Sequence, residues 1–299
     1  MSIVFIAAQA GPFWQGLVHV ALLVISIILC GAWLIKSIKK GGPLRGTVEI
    51  PERPGLIELT QALICLLLLS LLFSQLFKGM LGSKVLELAL AGSVASLLGC
   101  VGVLAVLART NPGRFKGLGL ESVQFPRQLG PGLITALAVW PLATIVLGSA
   151  SLFLVQFVIK WGWGLTYTLQ THTLLREFNE PVTPLNLYLT IAMAVIIAPL
   201  TEEIFFRGLL QGTLVRLYRS RWGAIVVSAA IFALFHLSVR ENVPLGEASL
   251  AHVETIPPLF FLGLALGYAY EKSRSLYRPI CIHVGFNALS FVMLWLGSA

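Results

Sequence analysis

Apolar residues run along this chain in blocks too long and too uniform for the core of a soluble domain. Gly16–Ile35 reads GLVHVALLVISIILCGAWLI, and Leu56–Phe77 reads LIELTQALICLLLLSLLFSQLF. Each block can cross a bilayer as a helix, which takes about 20 residues. Backbone polar groups in lipid must be satisfied within the spanning structure. No alternating ten-residue pattern suggests a barrel, so the blocks predict helices. Eight spans are expected, near residues 13–35, 56–77, 85–108, 131–159, 185–218, 222–237, 256–270 and 280–297. The expected fold is therefore all-α, a polytopic membrane protein with about eight transmembrane helices.

Composition agrees with the pattern. Of 299 residues, 57% are hydrophobic and 11% charged, against about 25% charged in an ordinary soluble domain. The net charge of +8 invites a nucleic-acid reading, but its distribution points to topology. With the eight spans in place, sixteen of the 21 Lys and Arg are assigned to one side, in alternate connections of which the first is Lys36–Arg53, with Arg207 counted there although it lies within its span. The other five, Lys78, Lys84, Lys160, Arg176 and Arg240, lie on the opposite side. The basic side is cytoplasmic by the positive-inside rule, which puts both termini on the other side. No nucleic-acid partner is expected, and membrane lipid is.

Residues 1–15 have no basic n-region and too short an apolar run for a signal peptide, so they are expected to belong to the mature chain. Cys30, Cys65, Cys100 and Cys281 lie in apolar runs without a C-x-x-C pair and read as small buried hydrophobes. Residues 36–55 and 109–132 carry Gly and Pro punctuation and are expected as soft cytoplasmic connections. The outer connection, 160–184, could hold a short amphipathic helix at the interface. Polar side chains inside spans concentrate after residue 185. The chain thus divides into an N-terminal transmembrane region, 1–184, with about four helices, and a working domain, 185–299.

Three constellations stand out in that second half. The first is IIAPLTEEIFFRGLLQG, Ile196–Gly212, which sets Glu202, Glu203 and Arg207 among Leu, Ile and Phe. An ionised group at mid-helix costs about 2.5–3.5 kcal/mol on insertion scales, so pairing must offset part of the cost. Glu203 and Arg207, four apart, share a helical face and predict an ion pair. Glu202 is turned about 100° away and lacks that partner, which suits a general base or acid. Pro199 can kink the helix and free a carbonyl. A structural charge cluster would explain the same residues. The second constellation is Phe232 and His236, and the third His283 and Asn287, each four apart on one face. Singly they read as packing or interhelical hydrogen bonds. Together they supply a base for water and donors for an oxyanion.

E-E-x-x-x-R at Glu202–Arg207, F-x-x-x-H at Phe232–His236 and H-x-x-x-N at His283–Asn287 resemble, in that order, the CPBP family of intramembrane proteases. It comprises the type II CAAX prenyl endopeptidases and their bacterial Abi-type relatives. The resemblance covers about residues 185–298. It implies endopeptidase activity on a membrane-associated, sometimes prenylated, peptide or protein. Glu202 would be the general base, activating water with help from His236. His283 and Asn287 would hold the oxyanion. Arg207 would orient Glu202 and Glu203 or receive a substrate carboxylate, and Phe232 would shape the substrate pocket. No cofactor is required on this reading. If zinc or another divalent metal takes part, Glu202, His236 and His283 would be its ligands, although no H-E-x-x-H helix is present.

Other readings stay open at this stage. The chain has no aspartate, which removes a two-aspartate protease. Ser228 and Ser290 lack a Gly-x-Ser-x-Gly setting. A transporter or an immunity or scaffold protein could also bury ionisable groups. The G-x-x-x-G patterns at Gly208–Gly212 and Gly263–Gly267 would suit a structural subunit or packing within the chain. Depth counting raises one conflict. Glu202 lies about 25 Å of helix from Arg219, and His236 about 22 Å from Arg221, but His283 only about 8 Å from Arg278. To meet them, residues 271–279 should dip into the membrane, or the helix after Arg207 should run along the interface. Length and the lack of eukaryotic targeting features suggest a multi-pass protein of a prokaryotic cytoplasmic membrane.

Overall fold

In the computed structural model, the residues described are 12–47, 49–50, 52–80, 84–121, 125–165, 184–239 and 250–297. Residues 1–11, with most of the supposed mature N-terminus, lie outside them. So do Arg176, Arg240 and nearly all of the outer connection where an amphipathic helix is expected. The chain is built of helices. These are α1 (Pro12–Lys39), α2 (Leu56–Leu76), α3 (Lys84–Thr110), the short α4 (Pro112–Gly117) and α5 (Phe125–Trp163). They continue with α6 (Leu185–Tyr218), α7 (Arg221–Leu234), α8 (Ile256–Ser273) and α9 (Tyr277–Gly297). One two-residue antiparallel ladder joins Ser238–Val239 to Leu250–Ala251.

Among the described residues six helices are long and apolar enough to cross a membrane, α1, α2, α3, α5, α6 and that at Val253–Ser273. The eight expected are not matched by this count. Arg221–Leu234 is apolar but has 14 residues, about 21 Å of helix. The protein is an integral, multi-pass membrane protein. Its surface agrees: Leu67, Leu68, Leu71 and Leu72 of α2 and Ile27, Ile28 and Ile35 of α1 are exposed, as lipid-facing side chains are.

The core runs between α5, α6, α7, α8 and α9, around Trp140, Phe206, Leu209, Phe232, Leu262 and Ile282. Helix α9 lies along the first part of α5, α7 along α8, and α2 along α3. The small residues decide how close α6, α7 and α8 come. A Cβ on Gly263 would stand 2.9 Å from the Ala229 Cα. One on Gly267 would stand 2.7 Å from Gln211 Oε1. The bare glycine backbones expose their carbonyls to α6. Arg207 Nη2 donates to Gly263 O (3.3 Å) and, one turn on, Gln211 Nε2 donates to Gly267 O (3.2 Å). The Gly263–Gly267 pattern is thus used inside the chain. So is Gly208–Gly212, against Leu118, Leu276 and Pro54.

The two connections expected to be soft are tied down where described. Arg53 forms a bidentate pair with Glu271 (both 2.8 Å). The same carboxylate accepts from Gln211 Nε2 (3.0 Å) and Arg221 Nε (2.9 Å). Arg216 holds the Arg53 carbonyl (3.0 Å), and Arg114 of α4 pairs with Glu58 of α2. Leu118 is fully buried; its carbonyl accepts from Leu276 N (3.1 Å), while Gly119 O accepts from Ser275 Oγ (2.8 Å). Gly and Pro punctuate these stretches, but charge pairing and backbone bonds fix them. Ser275 and Leu276, in the turn between α8 and α9, are consequently buried against residues 118–119, while Arg274 before them stays exposed.

Glu271 is fully buried beneath two guanidinium groups. Removing one member of such a cluster costs about 3–5 kcal/mol by stranding its partners. Glu271→Gln is expected to lower stability by about that amount, read as a drop in thermal unfolding midpoint in detergent. An unchanged midpoint would show that Arg53 and Arg221 find other partners.

Candidate active site

Helix α6 is continuous from Leu185 to Tyr218 but not regular. Two π segments, Ala192–Ile197 and Ile204–Gln211, flank the α-helical Ala198–Glu203 that carries the glutamates. Such bulges commonly mark functional sites. Pro199 gives the first one a consequence. In the π register Ala198 N bonds to Met193 O, so Ala194 O should take the N–H of residue 199, and proline has none. The freed carbonyl accepts instead from Asn287 Nδ2 of α9 at 2.8 Å. The expectation that Pro199 frees a carbonyl therefore holds, and that carbonyl fixes a candidate site residue.

Glu203 is fully buried and bridges two helices. Its Oε1 meets His283 Nδ1 at 2.8 Å, and its Oε2 lies 3.2 Å from Arg207 Nε. The latter is the ion pair read from the spacing, although the contact lacks hydrogen-bond geometry. Arg207 is also fully buried, its guanidinium 4.6 Å from the centroid of the Phe232 ring. Glu202 points elsewhere. Its side chain is 28% exposed, with Oε2 3.8 Å from His283 Nε2. That oxygen is buried without a hydrogen-bond partner.

His236 lies in the turn after α7, not within a span as expected, because the helix ends at Leu234. Its backbone N–H bonds to Ala233 O, which leaves the Phe232 carbonyl without its helical donor. The ring supplies one: His236 Nδ1 stands 2.8 Å from Phe232 O. A carbonyl can only accept, so Nδ1 carries the hydrogen and the neutral ring keeps a free lone pair on Nε2.

A cavity of about 470 Å³ opens at these residues. Glu202, His236 and Asn287 line it, with Phe205, Phe206 and Phe235. The opposite wall comes from the N-terminal half: Ala62 and Leu66 of α2, and Gly92, Ser93, Ser96 and Cys100 of α3. Phe232, expected to shape the pocket, is fully buried behind it and touches His236 and His283 edge-on (4.9 and 5.7 Å). His283 and Arg207 also lie behind the lining. The structure thus brings all seven candidates into one cluster and sorts them into three that face the cavity and four that back them. Sequence reading missed the α3 wall. Its signal was faint: small and polar residues at positions 92, 93, 96, 99 and 100 in an otherwise apolar block.

Among the described residues no group of three His, Cys, Asp or Glu side chains is placed to hold a metal ion. Both Nδ1 atoms are engaged, one by Glu203 and one by a carbonyl.

The two glutamates should separate in experiment. Glu203→Gln strands Arg207 and releases His283, and is expected to cost about 3–5 kcal/mol. Glu202→Gln removes a partly exposed carboxylate without a hydrogen-bond partner at Oε2 and should change stability by less than about 0.5 kcal/mol. Thermal unfolding of both variants in one detergent checks this; equal losses would refute the assignment of a structural Glu203 beside a free Glu202.

Compared with known proteins, residues 184–289 match the family model described as Rce1-like, type II CAAX prenyl endopeptidase. No curated protein and no solved structure matches the chain.

Proposed function

We propose that this chain, whose residues 184–289 match the Rce1-like family model, is an intramembrane endopeptidase in which Glu202 activates the attacking water. The observation that carries the reading is the placement of Glu202. It is a carboxylate 28% exposed at the wall of a mostly apolar-lined cavity, with His283 Nε2 no nearer than 3.8 Å, whereas Glu203 is fully buried between His283 and Arg207. A general base needs reach to a water and a basicity not already spent on a protein donor. Glu202 has both, and Glu203 has neither.

The proposed steps follow from the neighbours. Water is held between Glu202 and the His236 Nε2 lone pair, and gives a proton to Glu202 as its oxygen attacks the scissile carbonyl carbon. The tetrahedral oxyanion is met by Asn287, which spends one amide hydrogen on Ala194 O and keeps the other. His283 faces the oxyanion only from behind the lining. With Nε2 3.8 Å from Glu202 Oε2, its first service is to the charge of that carboxylate. Glu202 then passes its proton to the leaving amine as the C–N bond breaks. Glu203 and Arg207 are positioning residues. Arg207 is enclosed, which favours its orienting role over capture of a substrate carboxylate.

The substrate class proposed is a membrane-associated peptide or protein, prenylated or not, in a prokaryotic cytoplasmic membrane. The G-x-x-x-G glycines, spent on packing within the chain, lend nothing to a structural-subunit reading.

The test uses purified protein in lipid nanodiscs and a fluorogenic peptide library with prenylated and unprenylated members. Glu202→Gln should lower cleavage about 10²–10⁴-fold, the usual worth of a general base. Asn287→Ala should lower it about 10²–10³-fold through kcat. A chelator should leave wild-type cleavage unchanged. Undiminished cleavage by Glu202→Gln would refute the base assignment, and loss with chelator would refute the metal-free mechanism.

A further inference from the structure

A second convergence of charged side chains lies apart from the cavity, on the side assigned as cytoplasmic. Lys40 and Arg45 come from the turn after α1, and Lys272 and Arg274 from the end of α8. With Gly46 and Thr47 they line a cleft of about 610 Å³ that includes no carboxylate. The acid nearest in sequence, Glu271, is turned inward and held by Arg53 and Arg221. Among the described residues no carboxylate pairs with Lys40, Arg45 or Arg274. Lys272 is under the like charges of Lys40, Arg221 and Lys36. Four positive groups held together without an acid call for an anion from outside the chain.

The turn is built to hold this arrangement. Gly41 has φ +75°, and a Cβ there would collide with the Arg45 guanidinium folded over it. The Pro43 carbonyl accepts from Lys272 Nζ (2.8 Å) and Tyr268 OH (3.3 Å), which ties the turn to α8.

The surroundings identify the kind of anion. Tyr268 packs between two exposed tryptophans, edge-on to Trp33 (5.6 Å) and stacked on Trp222 (6.3 Å). Clustered Trp and Tyr mark headgroup level in membrane proteins. In the two turns leading to Lys40, α1 leaves Leu34, Ile35 and Ile38 exposed. A basic cleft above an aromatic cluster, reached along an apolar helix face, matches a lipid with a charged head better than a soluble anion.

We propose that Lys40, Arg45, Lys272 and Arg274 bind the phosphate-bearing headgroup of an anionic phospholipid from the cytoplasmic leaflet. The acyl chains lie along the exposed end of α1. This site is independent of the hydrolytic reading and stands or falls without it.

Native mass spectrometry of the full chain in detergent tests the site. The protein is offered equimolar phosphatidylglycerol and phosphatidylcholine. Wild type should retain phosphatidylglycerol in clear preference, and K40Q/R45Q should reduce its occupancy about tenfold. The control R109Q/K116Q removes the same charge from exposed cytoplasmic-side positions outside the cleft and should bind like wild type. Equal retention of the two lipids by wild type would overturn the proposal, as would equal losses in both variants. Displacement of the lipid by millimolar inorganic phosphate would overturn the lipid assignment in favour of a soluble phosphate ligand.

Discussion

One buried carboxylate organises the cluster. Glu203 has no exposure, so its charge must be met within hydrogen-bonding reach or not exist. It is met from two sides, by Arg207 one turn along the same helix and by His283 on α9. The first contact is local and would form in an isolated helix. The second is made across a sequence separation of 80 residues and fixes where α9 sits against α6. His283 then presents its other nitrogen to Glu202. The orientation of Glu202 therefore depends on a neighbouring carboxylate that is itself fully buried and paired.

The same logic repeats further along α6. Arg207 and Gln211 of α6 reach successive glycine carbonyls of α8, and the row ends at Glu271 under Arg53 and Arg221. Without side chains at Gly263 and Gly267, the helices approach closely enough for the long polar side chains to span the gap. Breaking a buried pair costs more than the pair's net contribution, because the survivor is stranded. These rows consequently work as registry devices. They fix how far each helix is displaced along its neighbours and so hold His283 at the depth of Glu202.

The N-terminal half contributes shape to this arrangement. Its helices α2 and α3 close the cavity with small side chains opposite the aromatic wall of α6 and α7. The Cys100 thiol donates to the Thr201 carbonyl, next to Glu202, across that seam. Membrane helices gain little from apolar contact in a solvent of lipid tails, so small residues that permit close packing, and polar atoms that cross the interface, carry the association.

Much of this was legible in the sequence because the determinants are periodic and local. Blocks of about 20 apolar residues dictate helices in lipid, so the all-α class follows from Leu56–Phe77 alone. The Glu203–Arg207 pair and the separation of Glu202 from it follow from 100° per residue. Pro199 announced a free carbonyl because proline has no N–H, whatever surrounds it. The tertiary structure decided the rest, for reasons of distance along the chain. It chose Asn287 as the donor to that carbonyl and ended α7 two residues before His236. It sent Phe232 behind the pocket and Phe206 and Phe235 to its wall. It also turned two Gly- and Pro-marked connections into pinned ones, since Arg53 meets Glu271 across 218 positions. A sequence states which groups need partners. Only the packed helices determine which partners come within 3 Å.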